Sequence, residues 1–159
     1  MTQVAETYQP PFTDKSVYPS DIEIIINQNY TSKAVIKKQV KKGDLILYIT
    51  GTTKSKKRWT SVQVGVDEHV ELNSELVYMN HSCDPSVILD TSKMCLIANK
   101  DLNVGDEVTF FYPSTEYEMD QPFQCWCGSK SCVGLVNGAK GGLKEGYFYN
   151  KHILELVKQ

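Results

Sequence analysis

The sequence lacks the features that mark membrane-spanning and exported proteins. No apolar run approaches the roughly 20 residues that cross a bilayer, and the first 20 residues have neither a basic start nor an apolar middle. No internal repeat or low-complexity segment is present. We therefore expect an intracellular protein, nuclear or cytoplasmic, whose thiols stay reduced.

The sequence also lacks an excess of charge of either sign. Seventeen basic and nineteen acidic side chains give a net charge of −2. This balance excludes a global electrostatic footprint for nucleic acid or for an anionic membrane. We expect no direct nucleic-acid binding and no membrane contact, so any partner must be recognised locally.

Length and composition predict one domain. The chain has 159 residues, 41% of them hydrophobic, which suffices for one core and is too few for two comfortable ones. Short β-branched and alternating segments predict a mainly β fold with short helices. The predicted strands lie at 21–27, 34–37, 45–50, 59–66, 86–89, 94–98 and 107–112, with one helical turn at 75–79.

The segments between the predicted strands indicate two turns, a loop and a short helix. Gly43 and Gly105 each precede an acidic residue that opens a strand, which predicts two tight turns with positive φ. Residues 51–58 are polar and basic, typical of a solvated loop, with a nucleic-acid or nuclear-import patch as the alternative. A short helix is predicted at 149–157, with Asn150 as N-cap and His152 at the surface or helix end.

The cysteines suggest a metal site. Cys125, Cys127 and Cys132 form a C-x-C-x4-C cluster, and Cys83 is the best candidate for a fourth thiolate. Four thiolates suit tetrahedral structural zinc. The alternatives are two disulfides, or buried cysteines acting as small apolar residues; the intracellular setting favours zinc. Cys95 remains and is predicted to be buried in a strand.

Three segments, taken in their order along the chain, resemble the motifs of a known family. They are Tyr-Met-Asn-His-Ser-Cys-Asp-Pro-Ser at 78–86, Gly-Asp-Glu-Val-Thr-Phe-Phe-Tyr at 105–112 and the cysteine cluster at 125–132. Together they resemble the Asn-His-Ser-Cys motif, the Glu-Leu-Thr-Phe-Asp-Tyr-like strand and the cysteine-rich post-SET tail of SET-domain protein-lysine methyltransferases. The resemblance covers roughly residues 22–136, and the combination is harder to meet by chance than any one motif.

The resemblance implies a fold and a division of the chain. The fold is the SET-domain β-clip of small sheets, with a pseudoknot, a zinc-bound post-SET tail that clamps over the cofactor, and a short C-terminal helix. The implied division is an N-terminal arm (1–20), a SET domain (21–115), a post-SET zinc-binding segment (116–136) and a C-terminal loop and helix (137–159).

The resemblance also implies the active site. Its cofactor is S-adenosylmethionine, its metal a structural Zn²⁺, and its substrate a protein or peptide presenting a lysine, possibly on a histone. Tyr112 matches the catalytic tyrosine that ends the strand motif. Phe110, two residues earlier, would line the lysine channel on the same face and leave space for a second or third methyl. The implied cofactor contacts are Tyr78, Asn80, His81 and Leu135; a structural role between the crossing segments is the alternative for His81.

The chain departs from the family pattern at three places. Residues 27–34, which correspond to a usually glycine-rich cofactor motif, contain no glycine. Phe111 replaces an aspartate of the strand motif, and Val133 replaces an arginine often found after the last cysteine. No cysteine-rich pre-SET region precedes the domain, so the chain resembles the small stand-alone SET proteins, whose substrates do not follow from the fold.

Three functions remain open on the sequence. Protein-lysine methyl transfer leads, because Glu116, Glu118 and Asp120 follow Tyr112 and could attract a basic peptide. The lack of accessory domains also fits a small-molecule or non-histone acceptor. The missing glycines fit a non-catalytic, zinc-stabilised interaction module.

Overall fold

A computed structural model describes residues 16–27 and 32–159, and short β-strands dominate them. The strands are β1 (Ile22–Ile25), β2 (Lys33–Ile36), β3 (Leu45–Tyr48), β4 (Thr53–Ser55), β5 (Val62–Gln63), β6 (His69–Glu71), β7 (Asn80–His81), β8 (Val87–Asp90), β9 (Cys95–Ala98), β10 (Thr109–Phe110), β11 (Phe123–Gln124) and β12 (Leu135–Val136). Two 3₁₀ turns, Glu75–Tyr78 and Tyr112–Ser114, and the helix α1 (Lys151–Val157) complete the described secondary structure. The predicted mainly β fold with short helices is confirmed. Residues 1–15 of the predicted arm and 28–31 of the glycine-free stretch lie outside the described residues.

Two three-stranded antiparallel sheets and the pair β1–β2 enclose the core. The strand orders are β3-β9-β8 and β4-β6-β5. Apolar side chains from the first sheet, from β1–β2 and from the first 3₁₀ turn meet in one cluster, because each strand is too short to bury its apolar face alone. Its fully buried members include Ile22, Ile36, Leu76, Leu89, Leu96 and Val108.

The second sheet differs most from the sequence prediction. The basic segment expected to be a loop contains β4, the predicted strand at 59–66 shortens to β5, and β6 was not predicted. Lys54 pairs with Val70, and Val70 also pairs with Val62. An edge strand of polar residues is held by backbone hydrogen bonds to its neighbour, so it carries no alternating apolar signal.

The two glycine corners form as predicted and contact each other. Gly43 and Gly105 have φ of 93° and 94°. In each corner the following aspartate accepts the backbone N–H two residues before the glycine, at 2.9 Å and 2.8 Å. Val40 and Leu102, which precede the corners, exchange backbone hydrogen bonds of 3.0 Å and 2.9 Å. The corners therefore clamp two distant parts of the chain together.

The Asn-His-Ser-Cys segment and the strand motif lie side by side. β7 and β10 pair in parallel, with Asn80 opposite Thr109 and His81 opposite Phe110. The N–H of Ser82 extends this pairing by donating to the carbonyl of Phe110 at 3.0 Å. The predicted contact between the two motifs is therefore present, and it places them at one site.

Helix α1 packs closely on the rest of the domain. Asn150 is the N-cap residue as predicted, but its side chain makes no capping hydrogen bond to α1. Its amide donates to the carbonyls of Leu89 and Ser114 at 2.9 Å and 3.0 Å. His152 is buried, and its Nε2 lies 2.7 Å from the carbonyl oxygen of Thr115. His152 lies at the N-terminal end of α1, which is one of the two positions expected for it. The other, a surface position, is wrong, because α1 packs on the segment that follows Tyr112. Within the described ranges, no helix is long and apolar enough to span a bilayer.

A buried carboxylate holds the end of the N-terminal arm. Glu75 is almost fully buried and accepts hydrogen bonds from the Ser16 hydroxyl and from the N–H groups of Val17 and Tyr18, the latter two at 2.9 Å and 3.2 Å. These bonds tie residues 16–18 to the 3₁₀ turn that leads into β7. The segment before the Asn-His-Ser-Cys motif is thereby fixed.

Candidate active site and metal centre

Tyr112 begins the second 3₁₀ turn, and its side chain is buried. Its phenol donates a hydrogen bond of 2.6 Å to the carbonyl oxygen of Met79. Burial, helped by the negative charges of Glu116 and Glu107, raises the pKa of Tyr112 well above its usual value. The phenol is therefore a neutral donor, suited to orienting a reactant rather than to taking a proton from it.

His81 joins Tyr112 to the cysteine cluster. The N–H of Tyr112 donates to Nδ1 of His81 at 3.1 Å. Burial lowers the pKa of His81 to about 4, so the ring is neutral near pH 7, and Nε2 carries its hydrogen because Nδ1 accepts. Nε2 lies 3.2 Å from Sγ of Cys83 and donates to it. The ring is thus locked between the crossing segments, the geometry of the structural role considered for it.

Phe110 and Tyr112 line one pocket. Their ring centroids are 4.7 Å apart. The strand ends at Phe110 and the 3₁₀ turn starts at Tyr112, so the predicted strand at 107–112 is shorter than expected although both side chains reach the same space. The remaining walls are mainly apolar and include Trp59, Val62, Leu72, Leu76, Met79 and Phe123.

Glu116 brings a carboxylate to this pocket. It is only 8% exposed, and its Oε2 accepts the N–H of Gln63 at 2.9 Å. Burial raises the pKa of Glu116 to about 7, against opposing hydrogen bonds and the positive charge of Lys57. Arg58 and Asp120 also line the pocket. Of the three acidic residues expected to attract a basic peptide, Glu116 is buried in the pocket, Asp120 lines it and Glu118 is exposed.

Of the predicted cofactor residues, His81 contacts Tyr112 directly, and Asn80 precedes His81 in β7. Asn80 donates through Nδ2 to the carbonyl of Ser32 at 3.0 Å and to Oε2 of Glu107 at 3.2 Å. Its amide thus tethers β7 to residues just before β2. His81 follows it, and half-buried Tyr78 precedes the pair at the end of the 3₁₀ turn.

Leu135 lies further from the other predicted cofactor residues. It is 59% exposed on β12 and pairs with Gln124 of β11. Phe123 precedes Gln124 in β11. The centroid of its ring lies 5.9 Å from that of His81 and 6.0 Å from that of Tyr112. Leu135 is therefore connected to the site through β11, and Phe123 is the residue of the tail that meets the two motifs.

The cysteine cluster has the geometry of a metal site. The four Sγ atoms of Cys83, Cys125, Cys127 and Cys132 lie within 4.8 Å of one another, and those of Cys83 and Cys125 are 3.9 Å apart. Tetrahedral Zn–S bonds of about 2.3 Å place sulfur atoms about 3.8 Å apart. All five cysteines, which the described ranges include, are free thiols, and Cys95 is buried in β9 as expected. The cluster fits a zinc-sized ion.

Backbone groups support the cluster. The N–H of Val133 donates to Sγ of Cys83 at 3.3 Å, and that of Cys127 to Sγ of Cys125 at 3.4 Å. Such N–H···S bonds stabilise a thiolate ligand, as outer-shell partners do in metal sites. Gly128, with φ of 75°, supplies the turn that brings Cys132 back to the other ligands.

Tyr147 contacts both Cys83 and Phe111, and the sequence did not predict this. Its hydroxyl donates to the carbonyl of Cys83 at 2.6 Å, and its ring stacks on Phe111 with centroids 3.8 Å apart. This stacking gives a physical reason for Phe111 at a position where the family has aspartate. An aromatic pair Phe111–Tyr147 could have been suspected, but the 35 residues between them leave no local signal.

The fold and the site now define a class of protein. The SET-domain family profile matches residues 13–113, and the chain belongs to the SET-domain family of methyltransferases. It is 38% identical over 164 residues to "Methyltransferase flvH" of Aspergillus flavus, a match that covers 99% of this chain and 89% of that protein. A histone-lysine N-methyltransferase of Chaetomium globosum, H3 lysine-36 specific, is 34% identical over 67 residues, which is 38% of this chain and 7% of that protein.

Solved structures with the same fold include two SET proteins. The methyltransferase domain of human SETMAR superposes with a TM-score of 0.53 at 16% identity, over 82% of this chain and 59% of that chain. KRYPTONITE, in complex with mCHH DNA, an H3(1-15) peptide and SAH, gives 0.54 at 16% identity over 72% of this chain and 29% of that chain. At this identity the two likenesses establish the fold.

Proposed function

We propose that the protein transfers methyl groups from S-adenosylmethionine to the side-chain amine of a lysine. The observation that carries this proposal is the side-by-side placement of Phe110 and a neutral, hydrogen-bonded Tyr112 in an aromatic pocket beside Asn80 and His81. SET relatives described as histone-lysine methyltransferases, and a structural neighbour bound to a histone peptide and SAH, support it.

The residues of the pocket suit methyl transfer to an amine. S-adenosylmethionine, when bound, supplies a methyl group on a sulfonium. The amine must be neutral to attack, and with a lysine pKa near 10.4 this costs about 4 kcal/mol at pH 7.4. Apolar walls such as Trp59 and Phe123 disfavour the ammonium form by desolvation. The new N–C bond forms as the C–S bond breaks, and the sulfur keeps the electron pair.

Tyr112 and His81 have positioning roles in this proposal. The phenol is fixed by Met79, and the backbone of Tyr112 is fixed by the His81 ring. Neither group has to move a proton, so both can hold the acceptor nitrogen and the methyl carbon in line. Asn80, His81, Tyr78 and Leu135 are proposed to contact the cofactor.

We propose zinc as the ion held by Cys83, Cys125, Cys127 and Cys132. The ion would join the motif at β7 to the tail that carries Phe123, since one ligand comes from the first and three from the second. It supplies structure and takes no part in the reaction. The closed set of four thiolates leaves no open position for a substrate.

A small amine is the second candidate acceptor. The methyltransferase of Aspergillus flavus aligns along nearly the whole chain, whereas the histone-directed relative aligns over only 38% of it. The proposed chemistry is the same for a free amine and for a lysine in a protein. What differs is whether groups outside the pocket must bind a peptide backbone.

Two measurements test the proposed function. Calorimetric titration with S-adenosylmethionine should show one site per chain, and the absence of binding would favour the non-catalytic interaction module. A methylation screen with labelled cofactor should then place label on the ε-nitrogen of lysine, read by mass spectrometry. Histone proteins, non-histone lysates and free lysine form the panel; transfer to free lysine alone would establish the small-amine alternative, and transfer to oxygen or carbon only would overturn the proposal.

A further inference from the structure

A buried carboxylate in an apolar pocket requires an explanation. Glu116 lies in the pocket that Phe110 and Tyr112 line, with 8% of its surface exposed. A carboxylate that leaves water loses its hydration, and this loss is recovered only where a positive group or several donors meet it. The raised pKa of Glu116 agrees that the protein alone compensates its charge poorly.

The fold itself needs only a neutral acceptor at this position. The carboxyl of Glu116 accepts the N–H of Gln63 at Oε2 and a hydrogen bond from the Thr115 side chain. A glutamine amide oxygen could accept from the same neutral donors. The same segment is held independently, because the N–H of Tyr117 donates to Oε1 of Gln63 at 3.0 Å and the N–H of Ala139 donates to the carbonyl of Glu116 at 3.0 Å. The negative charge is therefore not explained by the packing of this segment.

We propose that Glu116 is a specificity-determining residue that binds the positive charge of the acceptor ammonium as it enters the pocket, before the ammonium gives up its proton to solvent and the neutral amine reacts. The substrate class is then a cationic alkylamine, with apolar walls for its methylene chain and Glu116 for its charge. Neutral side chains of the same length are rejected, because they leave the carboxylate buried without a partner. This inference rests on the proposed amine methylation and names the group that selects the amine.

The test compares two probes that differ in charge and little in length. Nα-acetyl-lysine methylamide and Nα-acetyl-norleucine methylamide are titrated calorimetrically at pH 8 in the presence of S-adenosylhomocysteine. Wild-type protein should bind the lysine probe about tenfold more tightly or better, a preference typical of a desolvated charge pair. Glu116→Gln should lose most of this preference. Glu23→Gln is the control, since Glu23 is an exposed carboxylate on β1 and does not line the pocket, and it should keep the preference.

The pH dependence of the preference for the lysine probe is a second test, which can be made on the wild-type protein. Lys57 and Tyr112 interact electrostatically with Glu116, and Arg58 and Asp120 line the same pocket. Glu107 acts on Tyr112, and His152 contacts the carbonyl of the neighbouring Thr115. As pH falls below about 7, Glu116 becomes protonated and the wild-type preference for the lysine probe should weaken, whereas in Glu116→Gln it should change little. Equal preference in wild type and Glu116→Gln, or no preference in wild type at pH 8, overturns the inference. A wild-type protein that prefers the lysine probe but transfers no methyl overturns the proposed function and leaves the role of Glu116 standing.

Discussion

Tyr112 is the residue on which the proposed reaction most directly depends. Replacing Tyr112 by Phe removes the hydroxyl that donates to Met79 and should reduce kcat at least tenfold while the affinity for S-adenosylmethionine changes less. The buried Met79 carbonyl loses its donor, which costs about 1–2 kcal/mol of unfolding free energy. Tyr48→Phe, at an exposed tyrosine of β3, is the control. Equal losses in affinity and turnover would contradict the positioning role.

Phe110 bears on the number of methyl groups added. Its ring packs 4.7 Å from that of Tyr112 and carries no polar group into the pocket, so space remains for a methylated nitrogen. We expect wild-type protein to add two or three methyl groups and Phe110→Tyr to shift the product towards monomethyl-lysine. Mass spectrometry of an exhaustively methylated substrate measures this. A wild-type protein that stops at one methyl would remove the assignment, whatever the variant does.

Glu116 should also make the unfolding free energy depend on pH. Its carboxyl has a pKa of about 7 in the folded protein against 4.5 when unfolded, so the folded state binds more protons between these values and stability falls as pH rises through them. The loss amounts to as much as about 3 kcal/mol by pH 8. Thermal unfolding of Glu116→Gln should show a shallower decline with pH than wild type. A decline of the same slope, with Glu118→Gln as reference, would count against the buried charge.

At the scale of the elements, prediction succeeded where the signal was local. The positive φ at Gly43 and Gly105 and the 3₁₀ turn before Asn80 follow from neighbouring residues. β4 and β6 were missed because their pairing is between distant polar segments. The burial of His152 was missed because it depends on where α1 packs, which no residue near it encodes.

In the site, too, residues with a signal in the sequence were predicted, and a residue whose position depends on packing was not. The four cysteines were predicted from the chemistry and spacing of thiolate ligands, and Tyr112 and Phe110 from the resemblance of their motif to the SET family. The structure brings the members of each set together. Glu116 was predicted only as one of three acidic residues that could attract a basic peptide. Its burial results from β5, which supplies the Gln63 N–H, and a strand of two residues gives no periodic pattern to detect.

Gly138 is the described glycine at which an added Cβ would have the closest contacts. Its φ is 99°, and an added Cβ would lie 2.5 Å from the backbone carbonyl oxygen of Tyr117. Gly138→Ala should therefore push the strap formed by residues 137–140 away from residues 116–119, at a cost of about 2–4 kcal/mol in unfolding free energy. Gly141→Ala is the matched control, since its Cβ would meet no atom within 4 Å. Similar denaturation midpoints for the two variants would contradict this close approach.

For the whole molecule, the metal is expected to connect stability and activity. One zinc per chain should be found by elemental analysis. Its removal by a chelator should lower the Tm and the turnover together, since Cys83 is linked through the His81 ring to the backbone of Tyr112. Cys127→Ser should behave as the chelated protein does, and Cys95→Ser should retain its zinc. A chelated protein with unchanged Tm and turnover would disprove the connection.

The parallel pairing of β7 with β10 has a consequence for how the protein acquires its activity during folding. Asn80 meets Thr109 only after the intervening chain, including β8 and β9, has closed a long loop, and loop-closure entropy opposes such contacts until other interactions offset it. Hairpins such as β8–β9 form from neighbouring segments and can precede it. After dilution from denaturant, the far-ultraviolet signal of the sheets should therefore recover before cofactor binding does, and the interval between the two is the time the chain needs to assemble a reactive centre from its two halves.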